Sequence, residues 1–367
     1  MKINIIFYLS EFVLGGAGNS IFKLCKNLPK DKFNISIICL NKCYYKKEFK
    51  KYNIKVYEIN SKKSLFAFKE IRELVNKIAS EKFKSNIFVS NIYYSNILSI
   101  IFLRKFNFKI ILIERTPLQE LYIYYGLSDF LKKLLLKILI RFTFKKADYC
   151  ISNSNFISKE YNNKYKLKFV TINPPSFDGK LNLKRKLHKQ SKKINFVTVC
   201  RLTREKGIDK LIKIIPNIKT KIILNIIGDG PQLSYLKKIT SKFNLNNNVN
   251  FLGEISPNKI KANLKKYDCY INNSDFEGFP NTVVEALSVG IPVFGKQSYG
   301  GVNEILNNNK YGLIYKNENH LTKIINNFID GKISFSFNKK NLSNHLNKFN
   351  EFNNLKKYEK VFKNLSK

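Results

Sequence analysis

Short apolar runs rich in Ile, Val and Phe alternate with amphipathic helical spacing along nearly the whole chain, and that alternation leaves few folds open. Strand, helix and strand in succession build a parallel sheet with helices on its faces. The runs predict strands at residues 2–9, 35–40, 54–59, 87–90, 108–113, 149–152 and 169–172. Between the first two, Ile21, Leu24, Cys25 and Leu28 recur at helical spacing, opened near Asn19 or Ser20 and stopped by Pro29. The pattern breaks at Asn173-Pro-Pro-Ser-Phe-Asp-Gly179 and the basic stretch 180–193, where prolines and glycine favour a connector. It then restarts, with strands at 194–199, 221–227, 249–252, 269–272, 292–294 and 313–315. The expected class is α/β, with doubly wound domains over 1–175 and 194–340 and a linker over 176–193. A helical tail over 341–367 is expected to pack back on the first domain. A chain of 367 residues suits two such cores. Two of them imply a cleft, and ligands of such sheets bind at strand carboxyl ends beside helix N-termini.

Composition narrows the function classes. Apolar runs such as 134–140 are broken by lysine well short of the roughly 20 residues a membrane span needs. The N-terminal run Met1-Lys-Ile-Asn-Ile-Ile reads as a first strand rather than a signal peptide. Cys25, Cys39, Cys43, Cys150, Cys200 and Cys269 have no paired metal spacing and mostly sit in apolar patterns, which fits reduced thiols and a cytoplasmic home. With only His188, His320 and His345, far apart in sequence, neither a His metal site nor a Ser-His-Asp triad is expected. Lys plus Arg outnumber Asp plus Glu by 66 to 26, a net charge of +40. Such a charge attracts polyanions, either nucleic acid or an anionic membrane leaflet; joint inflation of Lys, Asn and Ile by a biased genome is the alternative. Aromatic residues are scattered rather than interleaved with cations, and no nucleic-acid module matches, so no nucleic-acid partner is expected.

Four strand ends carry chemistry. Gly15-Gly-Ala-Gly18 follows the first strand and opens a helix, where backbone amides suit a phosphate. Taken alone, an ordinary flexible turn is the plainer reading, and its spacing is not the dinucleotide fingerprint, which disfavours an NAD-dependent oxidoreductase. Cys200-Arg-Leu-Thr-Arg-Glu-Lys-Gly207 places Arg201 and Lys206 on one loop. A guanidinium fork and an ammonium point charge neutralise a diphosphate, although plain surface charge is the competing reading. In Ile227-Gly-Asp-Gly-Pro-Gln-Leu233 the glycines mainly make a tight strand-to-helix turn, with ligand contact through Gly228–Gly230 the second reading. Last, Asp275-Phe-Glu-Gly-Phe-Pro-Asn-Thr-Val-Val-Glu-Ala-Leu287 sets Glu277 and Glu285 eight residues apart. Asn281 is expected to cap a helix whose amides at Thr282, Val283 and Val284 present a positive end. The two carboxylates suit hydroxyls at the two polyol ends of one ligand; complementing the helix dipole is the plainer reading of Glu285. No water-activating partner accompanies them, so they do not read as a hydrolase pair.

In order, Arg201-Leu-x-x-x-Lys206-Gly207, Ile227-Gly-Asp-Gly-Pro, Phe251-Leu-Gly253, Glu277-Gly-Phe through Glu285-Ala-Leu, and Gly290-x-Pro292 resemble the retaining glycosyltransferases of family 4. The resemblance implies the GT-B fold, two Rossmann-like domains facing each other across a cleft. It implies that Glu277 meets the donor sugar's hydroxyls and Glu285 the ribose diol. Arg201 and Lys206 would hold the nucleotide diphosphate, helped by the amides of Gly16, Phe279, Asn281, Thr282 and Val283, with Pro280, which has no N–H, shaping the same segment, and with Gly253, Glu254 and Ile255 near the base. Arg201, Lys206 and Glu277 are the implied catalytic residues, acting by front-side displacement with no metal and no cofactor. The Phe279-Pro-Asn-Thr segment resembles members that use UDP-linked hexoses or N-acetylhexosamines, with a GDP-mannose-dependent mannosyltransferase as the alternative. The implied partners are a nucleotide-sugar donor, a glycan or undecaprenyl-diphosphate-linked acceptor in surface-polysaccharide synthesis, and the anionic cytoplasmic face of the inner membrane. A basic nucleic-acid-binding protein on a nucleotide fold is the non-enzyme alternative.

Two departures stand out. Cys200 occupies a position where many relatives have Gly, and the first domain lacks the histidine many relatives place near the reacting sugar. The strand end Ile113-Glu-Arg-Thr-Pro117 takes a comparable place, with Arg115 or Glu114 expected on the acceptor side. In 129–146, Leu131, Leu134, Leu135, Ile138, Leu139 and Phe142 run at helical spacing among Lys132, Lys133, Lys137, Arg141 and Lys145. This is either a core helix with solvated lysines or a cationic amphipathic helix on anionic lipid.

Overall fold

The computed structural model describes residues 1–13, 15–61, 64–79, 82–183 and 194–367; linker residues 184–193 lie outside the described residues. The chain forms two units, one of Met1–Pro175 with Glu351–Lys367 and the other of Ser176–Asn350.

In the first unit, β1 (Ile3–Tyr8), β2 (Phe33–Leu40), β3 (Lys55–Ile59), β4 (Ser85–Asn91), β5 (Lys109–Glu114), β6 (Tyr149–Ser152) and β7 (Phe169–Thr171) form one sheet. Its order is β3-β2-β1-β4-β5-β6-β7, and the pairing is parallel throughout. Helices cover both faces, so side chains alternating along β1 enter different cores: Ile6 and Tyr8 on one side, Ile5 and Phe7 on the other. This is why the strands read as continuous apolar runs. The first helix, Gly16–Asn27, begins at the glycines rather than near Asn19. Gly18 is required there because a Cβ would stand 2.7 Å from the Val13 carbonyl.

The second unit holds β8 (Ile194–Val199), β9 (Ile222–Ile227), β10 (Val249–Phe251), β11 (Cys269–Asn272), β13 (Val293–Lys296) and β15 (Leu313–Tyr315) in the order β10-β9-β8-β11-β13-β15. A separate parallel pair, β12 (Phe276–Glu277) with β14 (Tyr299–Gly300), was not expected: two-residue strands carry no periodic signal. In both sheets the winding reverses beside the first strand, at β1/β4 and at β8/β11, where ligands of doubly wound sheets bind.

The tail 341–367 divides between the units. Helix Lys339–Leu346 places Leu342 and Leu346 in the second unit's core, whereas helix Glu351–Leu365 puts Tyr358, Val361 and Phe362 into the first. Helix Leu127–Thr143 buries Lys133, Leu136, Ile140 and Thr143. Leu131, Leu134, Leu135, Ile138 and Phe142, the stripe that would have made it a core helix, are exposed. The six cysteines are free, five buried and Cys200 partly so. Among the described residues, no helix is long and apolar enough to cross a membrane.

Candidate active site at the carboxyl ends of the second sheet

The loop leaving β8 carries Arg201 and Lys206. It is held by the glycine turn after β9, where Cys200 N donates to Ile227 O at 3.0 Å, Leu202 N to Asp229 O at 2.9 Å and Gln232 N to Leu202 O at 2.9 Å. A Cβ on Gly228, whose φ is +133°, would sit 1.9 Å from the Cys200 carbonyl, and one on Gly230 would sit 2.6 Å from that of Leu202. The Gly-Asp-Gly turn is therefore built for two backbones to touch. Gly207 closes the loop at φ +60°, a conformation that suits glycine, and its carbonyl accepts from Asn273 Nδ2 at 2.6 Å.

The loop leaving β11 carries Glu277, and the two loops meet. Lys206 Nζ lies 3.2 Å from Glu277 Oε1, with the lysine side chain only 14% exposed. The other carboxylate oxygen accepts from Ser274 Oγ at 2.9 Å and Asn272 Nδ2 at 3.3 Å. Burial opposes the Lys206 charge, but the Glu277 carboxylate, with that of Glu205, more than offsets it and holds the ammonium above its ordinary pKa. Burial pushes the Cys200 thiol up to about 12, so it stays protonated. Sequence reasoning missed a second clamp. Asp275 N donates to Glu205 O at 2.7 Å, and the Asp275 carboxylate pairs with Lys210 at 3.0 Å and Lys296 at 2.6 Å. The polar run Asn272-Asn273-Ser274-Asp275 at a strand end was the available signal, since three of its members are buried.

Beyond Glu277 the chain enters helix Asn281–Ser288, which differs from expectation in its capping. Pro280 is the cap position and gives no side-chain cap. Asn281 instead accepts from Ser176 Oγ at 2.7 Å. The Val283 amide is taken up by Pro280 O at 3.0 Å, so it is not a spare donor. The Thr282 hydroxyl pairs with Tyr270 Oη at 2.7 Å, and Phe279 is a core residue packed edge-on against Phe349. Glu285 is 7% exposed in the second turn. Gly253, at φ +68°, follows β10 with no atom near its would-be Cβ; Glu254 is exposed and Ile255 packs on the core. The geometry thus brings Lys206 and Glu277 together on adjoining strand ends, with Arg201 exposed at the start of the Lys206 loop and the 279–285 and 253–255 segments leaving the same edge of the sheet.

Gly16 and Arg115 belong to the first unit. Gly16 opens its helix and its carbonyl accepts from Ser20 Oγ at 2.6 Å. Arg115 Nε donates to Asn91 Oδ1 at 3.0 Å, and Asn91 Nδ2 donates to Tyr8 O at 3.0 Å, which anchors the guanidinium at the β1/β4 reversal. Glu114 faces the other way. It is 0% exposed, accepts from Asn96 Nδ2 at 2.5 Å, and burial raises its pKa to about 8; it is a core group and does not line an acceptor side.

Comparison with known proteins matches this architecture. The chain spans 28 to 62% of the length of the first curated glycosyltransferases it matches. It is 31% identical over 147 residues to the phosphatidylinositol N-acetylglucosaminyltransferase gpi3 subunit of Schizosaccharomyces pombe, covering 38% of this chain and 32% of that one. It is 29% identical over 140 residues to a GDP-mannose-dependent alpha-(1-6)-phosphatidylinositol monomannoside mannosyltransferase of Mycobacterium tuberculosis, covering 35% and 36%. The crystal structure of Anabaena HepE in complex with UDP and glucose superposes with a TM-score of 0.75 at 17% identity, over 98% of this chain and 99% of that one, a likeness of fold. The family model for glycosyl transferases group 1 matches residues 180–351 and that for Glycosyltransferase Family 4 matches residues 14–178. Together these span both parallel-sheet units, and the chain belongs to the family 4 glycosyltransferases of GT-B fold.

Proposed function

We propose that this glycosyltransferase moves a hexose or N-acetylhexosamine, with retention, from a UDP-sugar to a glycan or undecaprenyl-diphosphate-linked glycan in surface-polysaccharide synthesis at the cytoplasmic membrane face. The observation that carries the reading is the 3.2 Å approach of Lys206 to Glu277 at the adjoining ends of β8 and β11, with Arg201 on the same loop. As the bond from the anomeric carbon to the diphosphate oxygen breaks, negative charge collects on the phosphate, and Arg201 and Lys206 stabilise it. The acceptor hydroxyl adds to the same face of the sugar and its proton leaves toward the departing phosphate. Glu277, pinned by Lys206, Ser274 and Asn272, accepts hydrogen bonds from sugar hydroxyls without having to be ordered first. Glu285 takes the ribose diol. Gly16 supplies a diphosphate amide, Gly253 to Ile255 meet the base, and Arg115 serves the acceptor.

UDP is favoured by the Phe279-Pro-Asn-Thr segment and by the UDP-bound structure that shares the fold. The mycobacterial relative favours GDP-mannose. Transfer and donor hydrolysis with a panel of nucleotide sugars, each competed with UDP and with GDP, separates the two. UDP is expected to inhibit and GDP not. No turnover of any donor, together with unchanged nucleotide-sugar binding by Glu277→Ala, overturns the assignment.

A further inference from the structure

Helix Leu127–Thr143 has two apolar faces, and the wider one is uncovered. At about 100° per residue, Leu136, Ile140 and Thr143 fall on one narrow arc, which is buried. Leu127, Leu131, Leu134, Leu135, Ile138 and Phe142 fall on the opposite arc, all exposed, from 41% at Leu134 to 75% at Leu127. The turn before the helix adds Tyr122, Tyr124 and Tyr125, also exposed. Cations border this face. Lys132 and Arg141 are exposed on its flanks, and Lys145 and Lys146 continue past its end. Lys137 reaches over the Tyr122 ring at 4.5 Å and bonds Tyr124 Oη at 3.0 Å. The helix's one acid, Asp129, is neutralised by Lys133 at 2.9 Å and lies on the inward side.

We infer that this leucine- and tyrosine-rich face, rimmed by Lys132, Lys137, Arg141, Lys145 and Lys146, docks the protein on an anionic lipid bilayer. Charge complementarity selects the occupant. A bilayer of acidic lipids offers hydrocarbon for the leucines and phosphates for the rim, with aromatic rings at headgroup depth. A second copy would set the same cations against one another in a chain of net charge +40. A nucleic acid would satisfy the rim but leave a leucine face without apolar cover. The inference deepens the reading of a membrane-borne acceptor, and its test uses no nucleotide sugar, so the failure of either leaves the other standing.

The test is sedimentation of the full chain with phosphatidylcholine vesicles, with and without phosphatidylglycerol. Binding is expected only to the acidic vesicles and is expected to weaken with added salt. Leu131→Ser/Leu135→Ser/Ile138→Ser and, separately, Lys132→Glu/Arg141→Glu should each lower the affinity roughly tenfold or more. All five positions are exposed, so the circular dichroism of both variants should match wild type. Lys237→Glu/Lys238→Glu, exposed on another helix, should bind as wild type does. The proposal is overturned if wild type ignores acidic vesicles, or if the control pair weakens binding as much as the rim pair. It is also overturned if the leucine variant converts a dimer to a monomer on gel filtration without changing vesicle binding.

Discussion

Lys206 and Glu277 support each other before any ligand arrives, and that sets what their removal does. If these two cations, Lys206 and Arg201, stabilise the departing phosphate as proposed, Lys206→Ala and Arg201→Ala should each lower kcat by roughly 100- to 1,000-fold with a smaller change in KM; steady-state kinetics decide. Glu277→Gln should cut kcat/KM as strongly, since it removes the charged partner of a nearly buried ammonium and, on the proposed reading, weakens the acceptor for the sugar hydroxyls. Glu114 gives a prediction about pH. Its folded carboxyl titrates near 8 against an ordinary 4.5, so the folded state holds this proton more tightly than the unfolded chain does. Stability from this group is full below pH 4.5 and drains away as pH rises to about 8, at about 1.4 kcal/mol per pH unit. Glu114→Gln should flatten the fall in Tm across that window and leave the enzyme more stable than wild type above pH 8, which thermal melts at a series of pH values will register.

Among elements, the glycine turn after β9 governs the site. Gly228→Ala would drive a methyl group into the Cys200 carbonyl at a φ that L side chains rarely adopt. It should cost about 2–4 kcal/mol in urea unfolding and lower activity by displacing the Arg201 loop. Strands of this kind are legible because burial on both faces writes unbroken apolar runs, and each of the thirteen expected strands forms, within a residue or two at its ends. The β12/β14 pair is silent in sequence, since two residues show no alternation and their pairing depends on a partner more than twenty residues away. Lys206 and Glu277 were each visible as a charge on a strand-end loop, but their pairing across 71 positions belongs to the β8/β11 adjacency and not to any local pattern. Helix Leu127–Thr143 was legible as amphipathic while its orientation was not, because apolar residues occupy two arcs and periodicity does not tell which one faces in. The cap of helix Asn281–Ser288 was misread for a similar reason: Asn281 has a competing partner in Ser176, far away in sequence.

At the scale of the molecule, the first unit is completed by a helix that follows the whole second unit in sequence. Phe362 is fully buried there, with its ring 6.2 Å from Phe7 and 6.0 Å from Phe33, and Lys23 pairs with Glu351 at the start of that helix. Phe362→Ala should destabilise the first unit by about 3–5 kcal/mol, seen in calorimetry as an earlier transition for one unit with the other unmoved. During translation, Ile5, Phe7 and Phe33 emerge long before Phe362 can cover them. At the ~5–20 residues per second of synthesis, the 175 residues of Ser176–Asn350 impose a wait of roughly 10 to 35 seconds. The nascent N-terminal half must therefore be sheltered or left unfinished for that interval, while the half made later can close first.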